Sequence, residues 1–158
     1  MRLILVAAAA AFALTACNPQ QQPAPPAEPT PPVEPTPPKP ELNGVDLTVP
    51  LRAVGTEPFW AMEISSTELK FSGADLPERT AAGGPPTMNE GEASWTGTTS
   101  DGVSLKATLT TGPCSDGMSD RTYPLTAKVE VGSERYNGCA ATIEALERMR
   151  GQESGEVR

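Results

Sequence analysis

From Leu47 onward the apolar residues recur at every second position rather than every 3.6, and no other feature constrains the fold of this chain so strongly. Val103, Leu105, Ala107 and Leu109 alternate with Ser104, Lys106 and Thr108, and Leu125, Ala127, Val129 and Val131 alternate with Thr126, Lys128 and Glu130. Successive side chains of a strand point to opposite faces, so each run buries one face and wets the other. The same period places Trp60, Met62 and Ile64 on one face after Pro58. It turns Leu69 and Phe71 inward between Glu68 and Lys70, and sets Ala93, Trp95 and Gly97 against Glu92, Ser94 and Thr96. A short strand, Leu51-Arg52-Ala53-Val54, is expected to stop at Gly55. With no amphipathic helix between the strands, residues 42–141 are expected to form an all-β domain. Its architecture is a small antiparallel β-barrel or sandwich of about six strands, closure being one way to hide sheet edges.

Turn chemistry divides the runs. Asp101-Gly102 predicts a two-residue hairpin turn, Gly132-Ser133 a second turn, and Asn137-Gly138 a bend at Cys139. Residues 73–91, which hold Gly83-Gly84-Pro85-Pro86, read as one long mobile loop. Ile143, Leu146 and Met149 then recur at helical spacing, and Glu144 stands four residues before Arg148. This predicts a short, weakly packed helix within 142–158 and a frayed tail from residue 151.

The N-terminus follows other rules. One positive charge at Arg2 precedes twelve apolar residues at 3–14, too few to cross ~30 Å of hydrocarbon as a helix but right for a secretory leader. Leu14-Thr15-Ala16-Cys17 resembles the lipobox of bacterial lipoproteins. The resemblance implies a signal peptide at 1–16 and diacylglycerol, with palmitate-type acylation, on the sulfur of Cys17. The competing reading is an ordinary leader cut near Ala16, with Cys17 incidental. A single acyl chain holds a protein at a membrane only marginally, whereas two or three hold it durably. Asn18 occupies the position where aspartate is associated with inner-membrane retention. By likeness to Gram-negative lipoproteins this favours the outer membrane, with the domain facing the periplasm. The rest of 17–41 is dominated by proline, which fixes φ and removes the amide donor. That stretch is expected to be an extended spacer rising ~3.1 Å per residue.

Composition narrows the chemistry. The chain has no histidine and a formal charge of −8, and loss of Arg2 with the leader makes it one unit more negative. Such a surface suits a basic protein or a cation better than nucleic acid, whose phosphates draw on Lys and Arg. With Cys17 used by lipid, Cys114 and Cys139 remain as an exported pair and predict a disulfide. Two thiols without histidine do not complete a zinc shell, so neither a metal nor a cofactor is expected.

Recognition is expected in the polar, turn-rich segment 112–124, pinned at one end by that disulfide. Its candidate binding residues are Ser115, Asp116, Met118, Ser119, Asp120, Arg121 and Tyr123, with Trp60 as a possible platform. Each has a structural alternative. Trp60 on an alternating strand suits a core, Asp116 and Asp120 suit Asx-turns, Arg121 suits an ion pair with either aspartate, and Met118 suits a plug at a barrel end. Glu57-Pro58-Phe59-Trp60, Cys114-Ser115-Asp116-Gly117-Met118-Ser119-Asp120, Tyr123-Pro124 and Gly138-Cys139-Ala140 together resemble an uncharacterised family of bacterial envelope proteins and lipoproteins. That resemblance implies location and fold rather than chemistry. Some members of that family stand beside domains similar to periplasmic lysozyme inhibitors.

No enzyme is expected. Without histidine there is no Ser-His-Asp or Cys-His arrangement, and no free cysteine or Ser-x-x-Lys nucleophile is present. Asp116 with Asp120 as a carboxylate pair for glycan hydrolysis is the catalytic alternative. The expected role is a non-enzymatic envelope lipoprotein that binds a protein or a cell-wall component such as peptidoglycan. Inhibition of a basic lysozyme, through steering by opposite charge, is the narrower alternative.

Overall fold

A computed structural model of the chain describes residues 38–154, with side chains to residue 152. The leader, Cys17 and the spacer through residue 37 lie outside the described residues, as do residues 155–158 of the expected tail.

The described chain opens with a two-stranded hairpin, β1 (Glu41–Leu42) and β2 (Val45–Asp46). Asn43 and Gly44 both take positive φ, 53° and 74°, as a type I′ turn demands. Then follow β3 (Leu51–Thr56), β4 (Phe59–Ile64), β5 (Glu68–Gly73), β6 (Leu76–Ala82), β7 (Thr87–Asn89), β8 (Glu92–Thr98), β9 (Ser104–Cys114), β10 (Tyr123–Val131), β11 (Glu134–Thr142) and α1 (Ile143–Ser154). The domain is all-β apart from that helix. Strands β3 to β11 form one antiparallel nine-stranded sheet in the order β6-β5-β4-β3-β11-β10-β9-β8-β7.

The two edge strands of this sheet, β6 and β7, are neighbours in the chain, joined only by residues 83–86. Five extended Cα steps reach at most about 18 Å. The sheet therefore has to curl until its edges approach, and it forms a half-barrel. An isolated bridge between Ala81 and Thr99 ties the β6 edge to the end of β8. Gly97 permits this approach, because a Cβ there would lie 2.7 Å from the Ala82 carbonyl oxygen.

Alternation then decides what lies inside. Leu51, Met62, Phe71, Leu105, Leu109, Leu125 and Val129 are fully buried in the concave interior, each contributing roughly 1.5–3 kcal/mol relative to exposure. Trp60 packs among them, its ring centroid 6.2 Å from Phe71 and 5.9 Å from Tyr136. A second, smaller cluster lies on the convex face, where Tyr123, Cys139, Ala141 and Leu146 are buried together.

Several local expectations are corrected. Gly55 does not end β3 and Asn137-Gly138 does not bend β11. Both glycines lie under the Trp60 ring, where a Cβ would fall 2.1 Å from Trp60 Nε1 (Gly55) or 1.9 Å from the Val54 carbonyl oxygen (Gly138). Their role is close approach rather than a turn. Residues 73–91 are not one loop, since they hold β6 and β7. These are edge strands, which tolerate Pro77 and need no clean alternation. The Asp101-Gly102 hairpin forms, but its loop spans residues 99–103, braced by Thr99 N–H donating to the Val103 carbonyl at 2.9 Å. The turn at Gly132 and Ser133 has two residues, as expected. Helix α1 runs through residues 151–154, where a frayed tail was expected, and it docks on the sheet through one buried side chain. Thr142 Oγ1 caps it by accepting the Ala145 amide at 3.1 Å, Glu144 pairs with Arg148, and Leu146 is buried against the sheet.

Candidate functional site

Cys114 and Cys139 form a disulfide with Cα atoms 5.5 Å apart. It joins the end of β9 to the middle of β11 on the convex face. The expected recognition segment is shorter than its sequence pattern: β9 extends through Cys114 and β10 begins at Tyr123, and the two residues pair. Residues 115–122 are what stands clear of the sheet.

Asp116 organises that excursion. Its Oδ1 accepts the amides of Met118 at 3.0 Å and Ser119 at 2.8 Å, and its Oδ2 accepts the Ser119 hydroxyl at 2.8 Å and the Tyr123 hydroxyl at 3.0 Å. Partial burial works against ionisation. The amides, the Ser119 hydroxyl and the Tyr123 phenol outweigh it and hold the carboxyl down to about 2. Burial first, then the Asp116 carboxylate, pushes the Tyr123 phenol above its ordinary value, while Arg121 pulls the other way. Asp116 is thus an ionised scaffold for the turn, and Tyr123, only 2 % exposed, is its buried anchor.

Met118, Ser115 and Asp120 face outward, whereas Ser119 and Arg121 are half-buried. Met118 is 69 % exposed, the most exposed large apolar side chain among the described residues. Ser115 and Asp120 are also exposed, and Ser115 Oγ accepts the Gly117 amide at 3.2 Å. Trp60 takes the core alternative, at 4 % exposure. Met118 does not plug the half-barrel.

The chain brings a second element to this loop. The β3–β4 hairpin turns through Glu57 and Pro58, joined by a cis peptide bond, and Thr56 Oγ1 donates to the Asp116 carbonyl oxygen at 3.2 Å across 60 residues. Phe59, opposite Thr56 in the hairpin, is 54 % exposed. The two sequence motifs, Glu57-Pro58-Phe59-Trp60 and the segment from Cys114, are therefore one surface. On one side of the Thr56 to Asp116 bond lies a hollow bordered by Glu57, Ser115 and Met118. On the other lies a groove of about 460 Å³ reaching Arg52, Phe59, Ala61, Ser72 and Arg121.

Phe59, Thr56 and Arg52 were absent from the residues expected at the site. The alternation that puts Trp60 inside puts Phe59 outside, so that signal was present. The partnership of Thr56 with Asp116 leaves no trace in spacing. Among the described residues no three His, Cys, Asp or Glu side chains are placed to hold a metal ion, and no helix is long and apolar enough to cross a membrane.

No protein-family model, curated protein or solved structure matches the chain.

Proposed function

We propose that this protein is a non-enzymatic lipoprotein of the bacterial envelope, anchored through Cys17 at the outer membrane and facing the periplasm. In this reading its β-domain binds a protein or wall component through the surface built by residues 57–59 and 115–121. The observation that carries it is the convergence of two distant segments into one braced surface that exposes Phe59 and Met118. Ordering costs are met in advance by the disulfide and by the Asp116 bonds, which favours binding. The four hydrogen bonds that Asp116 accepts make it a scaffold rather than a proton-transfer group, which supports the non-enzymatic reading over glycan hydrolysis.

The test is cross-linking in intact envelopes, comparing wild type with Met118→Ser/Asp120→Ala. Both positions are exposed, so the thermal midpoint should hold while the cross-linked partner disappears. An identical cross-linking pattern rejects this surface. A Cys17→Ala chain that still sediments with membranes after a high-salt wash rejects the anchor.

A second reading, inhibition of a basic lysozyme, is favoured by exposed Glu57 and Asp120 beside Met118. Such binding would weaken with salt. Activity of c-, g- and i-type lysozymes that is unchanged at micromolar protein removes it.

A further inference from the structure

Two Asn-Gly dipeptides occur in the chain, Asn43-Gly44 and Asn137-Gly138, and the fold places them in opposite settings. Asparagine before glycine is open to intramolecular attack, because the glycine amide nitrogen reaches the side-chain carbonyl carbon with no Cβ in the way. Asn137 and Gly138 lie inside β11, paired with Lys128 and Ala127 of β10. A Cβ on Gly138 would fall 1.9 Å from the Val54 carbonyl oxygen, so that peptide cannot rotate without opening the sheet. Asn43 and Gly44 instead form the exposed two-residue loop of the β1–β2 hairpin. A Cβ built on Gly44 would meet nothing within 4 Å, and this peptide is free to turn into solvent. The hairpin is tied into the fold at few points. Leu42 and Leu47, 4 % and 5 % exposed, belong to the main core, and Asn43 Nδ2 donates to the Pro124 carbonyl oxygen at 3.2 Å, 81 residues away.

We propose that Asn43 is a self-modification site, and that its conversion to isoaspartate releases the β1–β2 hairpin from the core. The Gly44 nitrogen gives up its proton and attacks Cγ of Asn43. The bond from Cγ to Nδ2 breaks, and the side-chain nitrogen takes up a proton and leaves as ammonia, closing a cyclic imide. Water then opens the imide at either carbonyl carbon, giving aspartate or isoaspartate. One water is consumed and one ammonia is lost, with no change of oxidation state. The two products act differently. Aspartate tolerates positive φ, and Asp-Gly also suits a type I′ turn. That product keeps the turn and loses only the bond to Pro124, where a carboxylate now faces a carbonyl oxygen. Isoaspartate routes the main chain through the former side chain and adds a methylene to a loop of two residues. Hairpin register is fixed by loop length and turn type, so Leu42 and Val45 no longer meet, and Leu42 and Leu47 are drawn out of their packing. The inference goes beyond the reading above and does not rest on it, because neither the anchor nor the surface at residues 57–59 and 115–121 takes part.

The experiment incubates the full chain at mildly alkaline pH, both folded and in denaturant with the disulfide reduced. Both sites are followed by peptide mapping and by labelling with an isoaspartate-specific methyltransferase. In denaturant the two sites are expected to convert at similar rates. In the folded protein Asn43 is expected to convert, and Asn137 at least about a hundredfold more slowly than in denaturant, since attack there waits on opening of an interior strand. Amide exchange of the separated isoaspartate form should quicken at residues 41–47 while β3 to β11 keep their protection. Asn43→Asp, which loses only the Pro124 bond, should show a smaller change at the same residues. Asn43 left intact in the folded chain while the denatured chain converts it overturns the assignment, as does Asn137 converting as fast as Asn43 in the folded chain. Unchanged exchange at 41–47 in the isoaspartate form overturns the release of the hairpin.

Discussion

Along β10, Leu125, Ala127 and Val129 face a concave interior packed with Leu, Ala, Met and aromatic rings. On the other face of the same sheet, a strand's thickness away, Tyr123, Cys139, Ala141 and Leu146 make a cluster a fraction of that size. The interior is held by apolar burial spread over many side chains, so no single group decides it. The convex cluster is held by discrete chemistry: one disulfide, one carboxylate and one capped helix. A surface supported in this way can be rigid without being thick, which is what a presented loop requires. It can also be dismantled piece by piece while the half-barrel survives, and that asymmetry is open to measurement.

The largest effect is expected where both regions meet. Gly138→Val forces a Cβ into the Val54 carbonyl and the Trp60 ring, and it should cost about 4 kcal/mol or more, or prevent folding. A near-normal urea midpoint would show that the strands can separate there and that the two faces are less coupled than the close approach implies. Phe71→Ala removes a ring that is 1 % exposed and should lower global stability by about 3–5 kcal/mol. Hydrogen exchange should then rise across all strands rather than in residues 115–122 alone.

Removing the disulfide as Cys114→Ala/Cys139→Ala opens a loop of 25 residues and should cost about 3 kcal/mol. The loss of exchange protection should concentrate at residues 114–123 and α1. Uniform loss over the whole sheet would instead mean that the convex cluster is part of the main core.

Asp116→Asn is smaller, about 1–2 kcal/mol, since it weakens several charge-assisted bonds at once. Its pH signature is specific. The folded carboxyl is held down at about 2, against ~3.9 in the unfolded chain. Its contribution is therefore complete above that unfolded value and is lost as pH falls from about 4 through 2. Wild type should lose stability over that window relative to Asp116→Asn. Parallel pH profiles for the two would remove Asp116 as the organiser of the loop.

How far the pattern could be read differs between the two faces. Period two identified the strands, and it placed Trp60, Met62, Ile64, Leu69 and Phe71 on the buried side, because burial on one face writes itself directly into alternation. The pairing of Cys114 with Cys139 followed from counting. Edge strands β6 and β7 were hidden because an edge with little to bury leaves no alternation, and Pro77 there looks like a loop residue. The β1–β2 hairpin carried its signal in Asn43-Gly44, but only two residues flank it on each side, too few to show a period.

By itself, then, the order of residues determined which side of each strand is apolar, that two cysteines were available to pair, and that residues 112–124 were polar and rich in turns. Only the tertiary structure decided that four linking residues between the edges curl the sheet, that Gly55 and Gly138 are spaces for a tryptophan ring, and that Thr56 meets Asp116. Alternation is a local property, written by burial one residue at a time. The meeting of segments 60 residues apart depends on strand order and curvature, which no local pattern records.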